Sequence, residues 1–176
     1  WRGARVLELG AGTGVGGLAA AASGALALLT DRENLVPTLQ MNADLNAGLA
    51  AAGGGRAQCG AFDWLAPPPA CVKETRWDVI LAADAVYSFA SVEPFADVLA
   101  GVLRDDVGGP CARPRRAVYA HNPRSNDLDE QMRAAFASRG MQVEELEAPE
   151  FAAAVGHIGL PNLRRVVLMA ITLSPP

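Results

Sequence analysis

The sequence predicts an α/β fold in a single domain: a doubly wound, mostly parallel sheet of seven strands that ends in an antiparallel hairpin. Strand-length apolar runs alternate with helix-length segments five times, which is typical of a parallel sheet between two helical layers. Two strand-like segments then follow with no helix between them, which favours an antiparallel hairpin at one edge. The length of 176 residues, 51% of them hydrophobic, suits one domain with a substantial core.

The first half of the chain alternates strand and helix without interruption. Glycine-bounded apolar runs and helically spaced leucines predict strand 5–9, helix 15–22, strand 25–30, helix 34–52 and strand 56–62. Pro37 fits the first turn of the second helix, and three glycines follow it. A proline-rich loop over 63–76 closes this half.

The second half continues the alternation and then ends in strands. The predicted elements are strand 77–82, helix 92–103, strand 116–121, helix 127–138, strand 141–146 and strand 163–173. Ser91 is the predicted N-cap of helix 92–103. A polar loop rich in Gly and Pro separates that helix from the next strand, and Gly140 ends the last helix.

Composition excludes several classes of partner. A net charge of -4 gives no electrostatic footprint for nucleic acid or an anionic membrane, and no stretch is long and apolar enough to span one. The cysteines Cys59, Cys71 and Cys111 are isolated, which indicates neither a disulfide framework nor a zinc site. We expect a monomer in the cytoplasm or nucleus. Because a strand begins four residues after Trp1, we also expect a segment to precede this chain.

The glycine-rich stretch VLELGAGTGVGG, residues 6–17, is the strongest local signal. A glycine turn between strand and helix lets backbone N–H groups approach a pyrophosphate or a carboxylate. Gly12, Gly14 and Gly17 match the dinucleotide spacing, whereas Gly10, Gly12 and Gly14 give another register. The apolar strand stops at Leu9, so the first glycine of the turn is Gly10, and the second register is favoured.

Two acids stand at strand ends beside this turn. Glu8 lies inside an apolar strand, where burying a carboxylate is costly without partners. Loop N–H groups or a ligand amine are its possible partners, and a purely structural role remains open. Asp31 ends the second strand, where a carboxylate can accept hydrogen bonds from ribose hydroxyls or, alternatively, cap the next helix.

Four stretches together resemble the class I, or seven-β-strand, S-adenosylmethionine-dependent methyltransferases, which have a Rossmann-like fold. They are VLELGAGTG, LLTDRE, AFDW and DVILAADAVYS, in that order along the chain. Within that superfamily the set is similar to the protein lysine methyltransferases of methyltransferase family 16. The resemblance therefore implies S-adenosylmethionine as cofactor and a lysine side chain of a protein as acceptor.

The resemblance assigns cofactor contacts to the first three stretches. The three glycines of the favoured register would cradle the methionine part, and Glu8 lies beside them. Asp31 would bind the ribose, Asp63 would accept from the adenine amine, and Trp64 would pack on the adenine ring. The alternative for Trp64 is an aromatic plug beneath the proline-rich loop.

The fourth stretch would supply the methyl-transfer site, with Asp84 contacting cofactor and acceptor and Tyr87 shaping the site. Their alternatives are a turn or N-cap residue and a half-buried core ring. The family carries a tryptophan-bearing segment before the first strand, where this sequence has only four residues. Asn122-Pro123 is interpreted as a turn, and for His121 and His157 both a substrate contact and a structural role stay open.

Three rival functions remain at this point. A nicotinamide-dependent oxidoreductase would use the other glycine register but would need a second domain for its substrate. A non-catalytic module would keep the fold and the cofactor site. A methyltransferase acting on a small molecule would share every motif named above, because the acceptor is chosen by loops whose sequence carries no motif.

Overall fold

The computed structural model describes residues 1–104, 115–147 and 166–174. Its seven-stranded sheet has the order β3-β2-β1-β4-β5-β7-β6. The strands are β1 Arg5–Leu9, β2 Leu26–Asp31, β3 Arg56–Ala61, β4 Val79–Ala83, β5 Arg116–His121, β6 Met141–Glu145 and β7 Val167–Leu173. The first five strands are parallel, and β7 runs antiparallel to both β5 and β6. The predicted fold class is confirmed.

Six helices accompany the sheet in the described residues. They are α1 Val15–Ala22, α2 Val36–Leu45, α3 Ala47–Gly53, α4 Ala70–Lys73, α5 Phe89–Arg104 and α6 Asn126–Ser138. A single 3₁₀ turn, Glu33–Leu35, precedes α2. Each helix of the alternating pattern has a counterpart in the described residues, whereas the short helix α4 inside the proline-rich loop was not predicted.

The helix predicted over 34–52 is wrong as one element, because it is divided at Asn46. The side-chain amide of Asn46 donates to the carbonyl of Asn42 at 2.8 Å, and its backbone N–H is shared between the carbonyls of Asn42 and Ala43. Asn competes for backbone partners in this way and is therefore a poor interior helix residue. The helix is interrupted at this residue, and α3 begins at Ala47.

The predicted N-cap at Ser91 is also wrong, because α5 begins earlier, at Phe89. The Ser91 hydroxyl donates to the carbonyl of Ser88 at 2.7 Å instead of accepting from a helix N–H. Strand β4 likewise starts two residues later than predicted. Trp77 precedes it as a buried core residue whose indole N–H donates to the Val72 carbonyl at 2.9 Å.

Core residues lie on both faces of the sheet. Val6 belongs to one buried cluster with residues of α1, α2 and α3, whereas its neighbour Leu7 belongs to another with residues of α5 and α6. Successive side chains of a strand point to opposite faces. The two clusters therefore place helices on both sides of the sheet, and all parallel strands end at one edge.

Some predictions fall outside the described residues, namely those on Cys111, on His157 and on the start of the last strand. Within the described part of the chain, Cys59 and Cys71 are free thiols. No helix described here is long and apolar enough to cross a membrane.

Candidate active site

A cavity of about 640 Å³ opens where β1, β2, β3 and β4 end. Ligands of open α/β sheets bind at this carboxyl edge, and the volume is in the range of small-molecule sites. All but one of the predicted site residues line it: Glu8, Gly10, Gly12, Asp31, Asp63, Trp64, Asp84 and Tyr87. The exception, Gly14, is the part of the glycine loop that packs against Leu29 and Leu39 of the core. Residues from four strands thus meet in one cavity.

The glycine loop has the conformation that the favoured register requires. Gly10, Gly12 and Gly14 have φ angles of 68°, 55° and 86°, which side chains of L-residues rarely adopt. A Cβ at Gly14 would lie 2.6 Å from Leu39, so that glycine allows the loop to pack against the core. A Cβ at Gly12 would meet no atom within 4 Å. Gly12 therefore leaves the backbone of the loop open.

Glu8 is buried at the base of the loop, with 2% of its surface exposed. One carboxylate oxygen accepts from the N–H of Gly17 at 2.9 Å, in the first turns of α1. Burial raises the pKa of Glu8 to about 7, and the negative charge of Asp31 adds to this, whereas the N–H groups of Gly17 and Gly16 lower it. The predicted loop N–H partner of Glu8 is thus present.

Asp31 ends β2 and is tied to the glycine loop rather than to a helix. One of its oxygens accepts from the N–H of Gly12 at 2.7 Å, and the other from the N–H of Arg32 at 2.7 Å. Its side chain caps neither the 3₁₀ turn nor α2, so the alternative role of Asp31 as a helix N-cap is wrong. Each carboxylate oxygen keeps a further lone pair for a donor in the cavity.

Asp63 and Trp64 follow β3 on the same side of the cavity. The Asp63 carboxylate is exposed and accepts from the N–H of Leu65 at 3.0 Å. The Trp64 ring packs on Phe95 of α5 with centroids 5.1 Å apart, and its edge lies beside Gly10. Trp64 is therefore both a wall of the cavity and an extension of the core.

Asp84 and Tyr87 lie across the glycine loop from Asp31, since β4 and β2 flank β1. Asp84 has a φ of 49°, and within the described ranges no other non-glycine residue has a positive φ. One of its carboxylate oxygens pairs with the guanidinium of Arg124, and the other is buried without a hydrogen-bond partner. Tyr87 is 59% exposed, so it is not a half-buried core ring.

Two groups that sequence reasoning did not assign lie next to Asp84. Arg124 follows β5 on the connection to α6, and nothing in its sequence context indicates the ion pair. Tyr119 and His121 point inward from β5, and the Tyr119 hydroxyl contacts both the N–H of Val86 at 3.2 Å and a ring nitrogen of His121 at 3.0 Å. Alternate polar residues near the end of a buried strand are the signal that could have identified this pair.

Comparisons with known proteins agree with this geometry. Residues 1–122 match the model of a family described as lysine methyltransferases. This chain belongs to that lysine methyltransferase family. The match includes every predicted site residue and ends after β5.

Two curated relatives are similar over part of the chain. EEF1A lysine methyltransferase 3 of Mus musculus is 36% identical over 104 residues, 59% of this chain and 40% of that protein. Protein-lysine N-methyltransferase rrg1 of Schizosaccharomyces pombe is 36% identical over 87 residues, 46% of this chain and 28% of that protein. The chain thus spans less than half the length of these relatives.

Solved structures show the same fold at low sequence identity. Magnesium protoporphyrin IX methyltransferase from Synechocystis PCC 6803, crystallised with bound S-adenosylmethionine, gives a TM-score of 0.63 at 15% identity, covering 98% of this chain and 71% of that one. The YcgJ protein of Bacillus subtilis gives 0.62 at 14% identity, covering 98% and 93%. These similarities confirm the predicted Rossmann-like fold. Among the described residues, no group of three or more His, Cys, Asp or Glu side chains could hold a metal ion.

Proposed function

We propose that this chain is the catalytic domain of an S-adenosylmethionine-dependent protein-lysine methyltransferase. The observation that carries the proposal is the position of Asp31 and Asp84 on opposite sides of the glycine loop, in one cavity at the carboxyl edge of the sheet. Asp31 lies where a nucleoside would bind, and Asp84 lies where β4 meets the connection to α5. Membership of the lysine methyltransferase family supports the same assignment.

The residues present fit S-adenosylmethionine. The glycine loop is open at Gly12, and Glu8, which lines the cavity below it, would accept a hydrogen bond from the amino group of the methionine part. Asp31 would take the ribose hydroxyls. Asp63 would accept from the adenine amine, with Trp64 against the ring. When bound, the cofactor supplies a methyl group on a positively charged sulfur.

On the acceptor side of the site, methyl transfer depends more on holding the lysine amine in position than on strong acid–base catalysis. A lysine nitrogen has to be neutral to form the new bond to the methyl carbon as the carbon–sulfur bond breaks, and it then loses a proton. Free lysine has a pKa of about 10.4, which desolvation lowers and a nearby carboxylate raises. Asp84 therefore serves to hold the amine in line rather than to act as a strong base, with Tyr87 forming the adjacent wall.

The partner in this proposal is a protein with an exposed lysine. The similarity to the mouse EEF1A lysine methyltransferase 3 makes elongation factor 1A the first acceptor to test. The net charge of -4 supports the absence of nucleic-acid and membrane partners. We further propose that the chain acts as a monomer in the cytoplasm or nucleus.

Calorimetric titration with S-adenosylmethionine, beside NAD, tests the cofactor. We expect saturable binding of S-adenosylmethionine alone, weakened at least tenfold by Asp31→Ala. Asp44→Ala removes an exposed acid of α2 outside the cavity and is the matched control, which should bind like the wild type. Binding of NAD in place of S-adenosylmethionine would contradict the proposal.

Transfer of a labelled methyl group to elongation factor 1A and to lysate protein tests the activity. We expect Asp84→Ala to lose transfer while it retains most cofactor affinity. Equal loss of both would assign Asp84 to the cofactor alone. Cofactor binding by the wild type with no transfer to any protein would favour a non-catalytic module, and transfer to lysate metabolites would favour a small-molecule enzyme.

A further inference from the structure

The connection that carries Asp84 and Tyr87 is fastened to the neighbouring strand β5. Its first residue, Asp84, has a positive φ, a conformation that residues other than glycine adopt only when their surroundings hold them. The N–H of Asp84 donates to the carbonyl of Ala120 at 2.8 Å. Two residues later, the N–H of the fully buried Val86 donates to the hydroxyl of Tyr119 at 3.2 Å. That hydroxyl supports the backbone of the connection at Val86.

The hydrogen bonds that continue from this hydroxyl can all point the same way. Since the Val86 N–H can only donate, the Tyr119 oxygen accepts from it, and the hydroxyl proton is available for Nδ1 of His121 at 3.0 Å. In that arrangement Nδ1 accepts, and the imidazole proton lies on Nε2. Nε2 is 2.8 Å from the carboxylate of Asp129, which accepts that proton. A continuous series of hydrogen bonds, the Val86–Asp129 hydrogen-bond chain, therefore runs from Val86 through Tyr119 and His121 to Asp129.

Burial makes this arrangement the one that satisfies every group. Tyr119 and His121 are 0% and 1% exposed, so bulk water does not reach their polar atoms. A doubly protonated His121 would place a second donor against the Tyr119 oxygen and leave the hydroxyl proton unused. Burial also raises the pKa of Tyr119, which keeps the hydroxyl protonated as a donor.

The chain ends at a group suited to anchor it. Asp129 lies in the first turn of α6, where the helix dipole favours negative charge. Its backbone N–H donates to the carbonyl of Ser125, whose hydroxyl caps the helix. The start of α6 thus fixes the carboxylate that orients His121.

We propose that Tyr119, His121 and Asp129 are positioning residues that set the conformation of the Asp84–Tyr87 connection for methyl transfer, with Nδ1 of His121 accepting from the Tyr119 hydroxyl and Nε2–H donating to Asp129. The inference rests on the proposed function in assigning Asp84 and Tyr87 to the transfer. None of the three residues lines the cavity, so they act through Val86 and not on the substrates.

Nitrogen-15 NMR of the histidine rings measures the protonation directly and needs neither cofactor nor acceptor. The sequence has only two histidines, so a His121→Gln variant assigns the signal. We expect a single form in which Nε2 carries the proton and Nδ1 is the acceptor. A proton on Nδ1, or an averaged mixture of forms, would contradict the proposed hydrogen-bond chain.

Amide hydrogen exchange tests the link to the connection. Tyr119→Phe removes only the hydroxyl, and we expect exchange of the Val86 amide to accelerate at least tenfold relative to that of Ile80 in β4. Trp77→Phe is the matched control, because it removes a buried hydrogen bond at the opposite end of β4. It should leave this ratio within twofold of the wild type. The same ratio in both variants would refute a positioning role.

Formation of S-adenosylhomocysteine with lysate protein as acceptor completes the test. We expect Tyr119→Phe to lose at least tenfold in rate and Trp77→Phe less than twofold. If Tyr119→Phe accelerates exchange of the Val86 amide but keeps the wild-type rate of S-adenosylhomocysteine formation, the hydrogen-bond chain has no role in methyl transfer. If the wild type itself forms no product, the proposed function fails, whereas the NMR and exchange results still decide whether the chain of hydrogen bonds exists.

Discussion

The buried acid beneath the glycine loop makes stability depend on pH in a direction unusual for a carboxylate. The pKa of Glu8 is about 7 in the folded protein, against an ordinary value of 4.5. Between these values the folded state retains a proton that the unfolded state releases. The contribution of Glu8 is therefore fully favourable below pH 4.5 and is lost as pH rises through 7. At about 1.36 kcal/mol per pH unit, the loss is about 3 kcal/mol.

Urea unfolding of the wild type and of Glu8→Gln at pH 5, 6, 7 and 8, without cofactor, measures this loss. Gln does not titrate, so the other ionisable groups cancel in the difference between the two proteins. We expect the wild type to lose about 2 to 3 kcal/mol relative to Glu8→Gln across this range. Thr30→Val is the control, because it removes the 2.6 Å hydrogen bond to the backbone carbonyl of Glu8 and changes no charge. Its difference from the wild type should be constant.

A difference between wild type and Glu8→Gln that stays constant with pH would refute the reasoning. It would mean that Glu8 ionises in the folded protein as readily as in the unfolded chain. A wild type that gains stability relative to the variant as pH rises would mean that the N–H groups at the start of α1 outweigh burial.

Three further predictions concern the free energy of unfolding, measured in the same urea assay. Gly14→Ala should lower it by about 3 kcal/mol, because the new Cβ would lie 2.6 and 2.9 Å from leucine side chains in a left-handed backbone. Gly12→Ala should lower it by only about 1 kcal/mol, because a Cβ there meets no atom within 4 Å. Arg124→Gln should cost less than about 1 kcal/mol, because its ion pair with Asp84 is exposed; a larger loss would show a structural role. Ser125→Ala removes the side-chain cap of α6 and should cost about 1 kcal/mol, visible as a lower urea midpoint.

The parts of the fold that local chemistry controls were predictable. Strand β1 and helix α1 have the bounds that their apolar runs and flanking glycines indicated. The order of the alternating elements was enough to predict the parallel sheet and its hairpin. The division at Asn46 was missed because a helical apolar pattern continues across it, whereas the side-chain hydrogen bond from Asn46 to the carbonyl of Asn42 depends on local geometry.

The candidate site was predictable where it depends on strand ends. Gly10, Asp31 and Asp84 each end a strand or follow one, and parallel strands bring their ends together. The side-chain partners of the Asp84–Tyr87 connection were not predictable. Arg124, on the segment after β5, pairs with Asp84, and Tyr119 of β5 accepts from the N–H of Val86. Which of their side chains face that connection depends on the register between β4 and β5, and that register is set by packing across the whole sheet.

The position of β7 has a consequence for folding during synthesis. It follows β6 along the chain, yet it lies between β5 and β6, pairing Ile171 with Ala117 and Leu173 with Met141. During translation the seven-stranded sheet is incomplete until this strand has left the ribosome. Until then β5 presents an unpaired edge, and β6 has no strand to pair with. A premature stop before residue 167 would therefore remove an interior strand, and we expect such a product to aggregate rather than to fold as a smaller version of the domain.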